Sequence, residues 1–301
     1  MLDYIPMQPT PLPSWLDRAA FPFEPHLVDV GSGEQLSVTD VGTGRAVVFS
    51  HGTPTWSYEW RHHLRALSEG QRCIAPDHLG FGLSPRPAEA DYRPEAHAQR
   101  FLRLLDRLGL DRYSLVVHDF GGPFALEAAL AHPERVERLV LYNTFAWAFG
   151  DTPKTRRLAA LAGGGLFRWM YRNLNLSFVI ARSAWGDRAT MTRDTWKPYR
   201  VLFPDADSRE RVLFALAKSM QGSADYCDSL FRRLDRLADA QIPVHMVWGM
   251  KDTAFPPSSL ARFRTVFPRA SVLEVEEAGH WPYEEQPDLC VNSVKAFLAT
   301  T

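Results

Sequence analysis

The tightest constraint on this chain is the octet Leu115-Val116-Val117-His118-Asp119-Phe120-Gly121-Gly122. An apolar, valine-rich run ends in a carboxylate, two glycines follow, and helical spacing continues over 123–131. A strand that turns sharply into a helix holds one side chain up at the end of a sheet, and glycines beyond it allow close backbone approach. Serine usually occupies such a turn; here it is Asp119. The exchange selects the chemistry. A serine alkoxide attacks carbonyl carbon, whereas a carboxylate doing so would give only a reactive anhydride. A carboxylate is suited to displacing a leaving group from saturated carbon, which leaves an ester on the protein.

Around this turn, short apolar runs alternate with helical patterns. Buried strands are expected at 46–50, 73–76, 114–118, 139–143, 244–248 and 271–275, and helices at 97–108, 123–131 and 288–298. That alternation implies an α/β fold with a mostly parallel sheet covered on both faces. Between about 147 and 221 the rhythm breaks. Helical pieces at 156–162, 166–173, 178–184 and 208–219 carry Trp169, Trp185 and Trp196 but offer no good strand. We expect three segments: a first part of the core over 1–145, a helical cap over 146–225, and the second part of the core over 226–301. Ligands of open α/β sheets sit at the carboxyl ends of strands, beneath such a cap, and an aromatic lining suits a small apolar substrate. Residues 1–25, with Pro9, Pro11, Pro13, Phe21 and Phe23, read as an arm lying on the body.

Composition narrows the partners. The 301 residues are 46% hydrophobic and 23% charged with a net charge of −1, which gives no electrostatic reason to expect nucleic acid or a membrane. No apolar stretch reaches membrane-spanning length. The N-terminus lacks the layout of a signal peptide. Cys73, Cys227 and Cys290 are scattered and odd in number, as expected of buried thiols in a cytoplasmic protein. No metal or organic cofactor is expected, and the chain is expected to be a monomer or homodimer.

A nucleophile needs a base. Asp252, in Val247-Trp248-Gly249-Met250-Lys251-Asp252, follows a buried strand; His280, in Glu277-Ala278-Gly279-His280-Trp281, follows the last one. The order nucleophile, acid, histidine is that of a triad on a sheet of this kind. His280 would take a proton from the water that attacks the Asp119 ester, and Asp252 would orient the imidazole. The loop His51-Gly52-Thr53-Pro54-Thr55-Trp56-Ser57-Tyr58 can aim the Thr53 amide at the same place, forming an oxyanion hole with the Phe120 amide. Of the other histidines, His62 and His63 read as surface helix residues, His97 and His132 as solvent-facing, and His118 as a buttress of the turn. The loop Pro76-Asp77-His78-Leu79-Gly80-Phe81-Gly82-Leu83-Ser84 lacks nucleotide-binding spacing and reads as a brace.

Together with Tyr199-Arg200-Val201-Leu202-Phe203-Pro204-Asp205-Ala206-Asp207-Ser208-Arg209, these motifs resemble the α/β-hydrolase superfamily and, within it, the haloalkane dehalogenases. The resemblance runs from about Phe21 to the C-terminus. It implies the α/β-hydrolase fold with an inserted helical cap, and conversion of R–X and water to R–OH and HX through a covalent alkyl ester. The family's acid can follow either of two strands; Asn143 stands at the earlier place, so Asp252 is the match. Relatives hold the departing halide with a tryptophan after the nucleophile and with an asparagine in the His-Gly-x-Pro loop or a cap tryptophan. Here those first two places hold Phe120 and Thr53. The Thr53 hydroxyl, or the indole of Trp169 before those of Trp147, Trp185 or Trp196, would have to substitute. Epoxide hydrolases share the Asp–His–Asp logic and protonate their leaving oxygen from cap tyrosines, for which Tyr171 and Tyr199 are candidates. β-Lactone decarboxylases also use an elbow aspartate and need no halide pocket. A non-catalytic ligand-binding homologue is the alternative from another class.

Overall fold

The valine-rich runs become the middle of a twisted sheet. The computed structural model describes residues 8–148 and 164–300. Within them, nine strands are ordered β1-β2-β3-β5-β4-β6-β7-β8-β9. They are β1 (Gln8–Pro9), β2 (His26–Asp29), β3 (Gln35–Val41), β4 (Arg45–Ser50), β5 (Gln71–Pro76), β6 (Tyr113–Asp119), β7 (Val136–Thr144), β8 (Val244–Gly249) and β9 (Ser271–Val275). From β5 through β4 to β9 every pairing is parallel, while β1, β2 and β3 extend one edge antiparallel. Every residue of β6 and of β8 is buried, the pattern of parallel strands covered on both faces. Among the covering helices, Pro94–Arg107 packs on Gly121–Ala131, and Arg61–Leu67 on Pro287–Ala299. The architecture is an α/β-hydrolase fold.

The six expected strands all form. Strands β2 and β3 were not expected: Gln35–Val41 alternates Leu36 and Val38 with Ser37 and Thr39, and all four are buried, so it has neither a continuous apolar run nor a solvent-facing polar side. Residues 8–25 of the expected arm lie on the body, with Phe21 buried against Phe23, Trp56 and Tyr58, and the rest of it falls outside the described residues.

Between β7 and β8 the described residues hold helices and no strand. Gly165–Leu174 and Leu176–Ser183 match expectation. The piece expected at 208–219 is a continuous run of Ala206–Ser208, a π-helical Arg209–Phe214 and Ala215–Gly222. Arg193–Arg200 is a helix the sequence hid, because it is polar and contains Pro198; Thr192 caps it by accepting from the Thr195 amide at 3.1 Å. The helix expected at 156–162 lies outside the described residues. No described helix is long and apolar enough to cross a membrane.

Two histidines overturn their surface reading. His63 is buried and bonds the Tyr142 hydroxyl at 2.9 Å; burial pushes its pKa down to about 3 and keeps it neutral. His97 is buried against Phe124, its ring stacked at 4.8 Å.

Candidate active site

Asp119 ends β6 with φ of +48°, a left-handed conformation that a non-glycine residue adopts only when its surroundings enforce it. Those surroundings are visible. Thr144 Oγ1 donates to the Asp119 carbonyl at 2.6 Å. A Cβ on Gly121 would stand 2.2 Å from the Ser50 carbonyl, so only glycine lets the helix Gly121–Ala131 start this close to β4. A Cβ on Gly52 would stand 2.3 Å from Asp119 Cβ, so the loop after β4 touches the carboxylate's own stem.

That loop carries a cis Thr53–Pro54 bond and directs the Thr53 amide to Asp119 Oδ2 at 2.7 Å. Its first residue, His51, is tied at both nitrogens: Nδ1 to the Gly52 carbonyl at 2.8 Å, and Nε2 as acceptor from the His78 amide at 2.9 Å. The brace loop behaves as expected. Asp77 accepts from the amides of Ser57 and Leu83, both at 2.8 Å, locking the loops after β4 and β5 together.

The three residues from separate strand ends meet. His280 Nδ1 donates to Asp252 Oδ2 at 2.7 Å. Asp252 can only accept, so Nδ1 holds the proton and Nε2 presents its lone pair 3.9 Å from Asp119 Oδ1. That gap is too long for a direct hydrogen bond and suits a bridging water. Asp252 is fixed in turn by the Ala254 amide at 2.7 Å and by Asn143 Nδ2 at 2.9 Å. Asn143 also accepts from the Gly249 amide at 2.8 Å, which ties the end of β7 to β8. The His280 amide donates to the Ala184 carbonyl at 2.8 Å, joining this loop to the helical insertion.

Behind His280 lies a second buried layer. His118 Nε2 donates to the His280 carbonyl and its Nδ1 accepts from Tyr283 Oη, both at 2.9 Å. His118 is thus the expected buttress, neutral because burial lowers its pKa to about 3. Burial likewise pushes the Glu59 carboxyl, 3.5 Å from His118, up to about 8.

Electrostatics divide the three groups. Burial raises the Asp119 pKa, against the pull of His280, His118 and the amides of Thr53 and Phe120. Burial opposes the charges of Asp252 and His280 too, but their mutual attraction prevails: the carboxyl is lowered and the imidazole raised.

The other candidates separate. Tyr171 is buried against Phe214, and its hydroxyl is pushed up to about 12 by burial and by the negative charge of Asp119. Thr53 Oγ1 is buried with no partner. Trp169 is not brought in: it lies on the outer side of its helix, 53% exposed. Tyr199 is buried but donates to Glu284, which also pairs with Arg61, so its hydroxyl is spent away from Asp119. Trp185 Nε1 donates to Thr190 Oγ1 at 2.9 Å, and Trp147 packs on Phe231 and Phe263. Phe120 is buried edge-on to Phe145 at 5.0 Å. Phe145 stacks on Phe255, which reaches the His280 ring at 5.4 Å. The sequence reading missed Phe145, Phe255 and the positioning contact of Asn143; the apolar residue following β7 and the asparagine at its end were the available signals. Among the described residues no group of His, Cys, Asp and Glu could hold a metal ion.

Residues 45–287 match the family model described as alpha/beta hydrolase fold. The chain belongs to that family. Within it the hydrolase is haloalkane dehalogenase-like. It is 32% identical over 293 residues to a cis-3-alkyl-4-alkyloxetan-2-one decarboxylase of Xanthomonas campestris pv. campestris, covering 92% of this chain and 97% of that one. It is also 32% identical over 273 residues to haloalkane dehalogenase 2 of Mycobacterium tuberculosis, covering 90% and 94%. Among solved structures, haloalkane dehalogenase DbeA of Bradyrhizobium elkani superposes with a TM-score of 0.80 at 23% identity, over 91% of this α/β-hydrolase and 97% of DbeA.

Proposed function

We propose that this hydrolase works through a covalent ester on Asp119. Oδ2 accepts the Thr53 amide at 2.7 Å, so Oδ1, the oxygen facing His280, attacks saturated carbon. In the ester, Oδ2 becomes the carbonyl oxygen and already lies in the oxyanion hole of Thr53 and Phe120. Water in the gap between His280 and Asp119 loses its proton to Nε2, and Asp252 stabilises the imidazolium. The helices between β7 and β8 are the cap that excludes bulk water and carries Tyr171.

The electrophile that suits these surroundings best is a strained β-lactone, an oxetan-2-one with apolar substituents. Asp119 Oδ1 bonds to the ring carbon as its C–O bond breaks, leaving a carboxylate on the neighbouring carbon. Loss of carbon dioxide then forms the alkene and expels the Asp119 carboxylate, consuming no water. The observation that carries this reading is the buried phenylalanine beside the nucleophile. It offers no N–H to a departing halide, Trp169 and Trp185 do not make good the loss, and a tethered carboxylate leaving group needs no such cradle. The similarity to the oxetan-2-one decarboxylase supports it. Haloalkane hydrolysis, the first expectation from sequence, is the second reading, favoured by the unpartnered Thr53 hydroxyl.

The test offers a cis-disubstituted β-lactone, a 1-bromoalkane and an aryl epoxide to the same protein and records alkene, bromide and diol. Alkene should dominate. Bromide release faster than alkene formation overturns the lactone reading. The His280→Phe variant should accumulate an alkyl adduct on Asp119 with any substrate whose ester needs water. No adduct with such a substrate, in mass spectra of a folded variant, overturns the covalent mechanism.

A further inference from the structure

The net charge of −1 conceals a segregation. Between residues 164 and 222 ten Lys and Arg face five Asp and Glu, so this stretch carries +5 and the rest of the chain −6. Apolar exposure is concentrated in the same place. Of six large apolar side chains exposed among the described residues, five sit on two consecutive helices. Leu166, Trp169 and Leu174 belong to Gly165–Leu174, and Val179 and Ile180 to Leu176–Ser183. Leu166 is 70% and Val179 58% exposed. The helices pack on one another across Asn175, and Tyr171, Phe178 and Ala181 already fill their inward faces. An ordinary surface helix exposes mostly polar residues; these expose five large apolar side chains among Arg168, Arg172 and Arg182.

Beside Leu174 opens a groove of about 540 Å³ with Arg193, Lys197, Arg200 and Arg209 on its walls and no acidic residue. Among the described residues, the side chains of Arg193, Lys197 and Arg200 have no hydrogen-bond or ion-pair partner. We propose that this helix pair and the adjoining basic groove form a docking surface for an anionic lipid bilayer. The apolar side chains enter the headgroup–acyl boundary and the groove receives lipid phosphates. Charge selects this occupant over a second copy of the chain. Beyond this surface Leu289 is the one large apolar side chain that the described residues expose, so among them a second copy has only the same face to offer, setting one +5 stretch against another, whereas an anionic bilayer complements that charge. The inference is independent of which bond Asp119 breaks.

Sedimentation of the full chain with vesicles tests it. Vesicles of phosphatidylcholine with about a third phosphatidylglycerol should carry the protein down at low salt, and phosphatidylcholine alone should not. High salt should release it. Each Lys or Arg near such a surface is worth about fivefold in binding, so replacing Arg193, Lys197 and Arg200 together by Gln should weaken it about a hundredfold. Trp169→Ser combined with Ile180→Ser should weaken it as well, with an unchanged circular dichroism spectrum. No binding of the wild-type chain to the anionic vesicles at low salt overturns the proposal, as does equal binding by both variants. Self-association that Trp169→Ser with Ile180→Ser abolishes, in a chain that ignores vesicles, would make this face a contact between copies and overturn it too.

Discussion

Replacing Phe120 by Trp asks directly whether the missing N–H decides the leaving group. Phe120 follows Asp119 in the chain, and its ring is buried, perpendicular to Phe145 at 5.0 Å and 6.2 Å from Phe124. Its edge is only weakly positive. An indole N–H at the same place would give a departing bromide one charge-assisted hydrogen bond, about 1.5–3 kcal/mol. The bond strengthens as charge develops on bromide, so it favours the transition state, and kcat for bromide release should rise roughly 10-fold to 150-fold. The larger side chain must displace Phe145 or Phe124, which costs about 1–3 kcal/mol of stability and a few degrees in Tm. Halide detection with a 1-bromoalkane reads the gain, and alkene from a β-lactone, followed in parallel, should not rise. Phe120→Leu, which loosens the same packing without adding an N–H, is the control and should leave bromide release low. A folded Phe120→Trp protein, identified by its modest Tm loss, whose bromide release equals that of the parent would refute the reasoning.

Three further outcomes follow from the geometry. His280 is raised above its ordinary 6.5 because Asp252, with Asp119 beyond it, outweighs burial, and a protonated imidazole cannot act as base. Hydrolysis of an Asp119 ester that needs water, such as the one a 1-bromoalkane would form, should therefore speed up with increasing pH along a limb lying above 6.5, and Asp252→Asn should move that limb down; stopped-flow single turnovers measure both. Gly52→Ala puts a methyl 2.3 Å from Asp119 Cβ, which must push the carboxylate or its oxyanion loop aside, and should lower kcat about a hundredfold in a protein that still folds. Glu284→Leu leaves the buried Arg61 guanidinium without its carboxylate and should cost about 3–5 kcal/mol in urea unfolding; a loss below about 1 kcal/mol would contradict the buried-pair reading.

The parts of this protein that were legible in its sequence are those specified by neighbouring residues. A parallel strand buried on both faces reads as a nearly continuous apolar run, so β4, β6 and β8 stood out; β9, expected to be buried, is an edge strand with Ser271 and Glu274 exposed and was marked only by its valines and leucine. The proposed triad was legible for a related reason: each member follows such a run, and the fold gathers strand ends on one side of the sheet. What was hidden depends on partners distant along the chain. Ser37 is tolerated inside β3 because Ser84 Oγ accepts its amide at 2.8 Å and its hydroxyl meets Thr10, and His63 is tolerated inside because Tyr142 meets it. Trp169 and Tyr171 show the same limit within one helix. Two residues are about 200° of rotation, so one faces inward when the other faces out. The apolar arc of Gly165–Leu174 is wide enough to include both, with Arg168 and Arg172 opposite, so the usual rule that the apolar face is the buried one does not say which edge of that arc is covered. The residue that is buried and the residue left in solvent are thus settled by how the helix docks on the rest of the protein. That docking is also what makes the outward tryptophan available to a surface outside the protein.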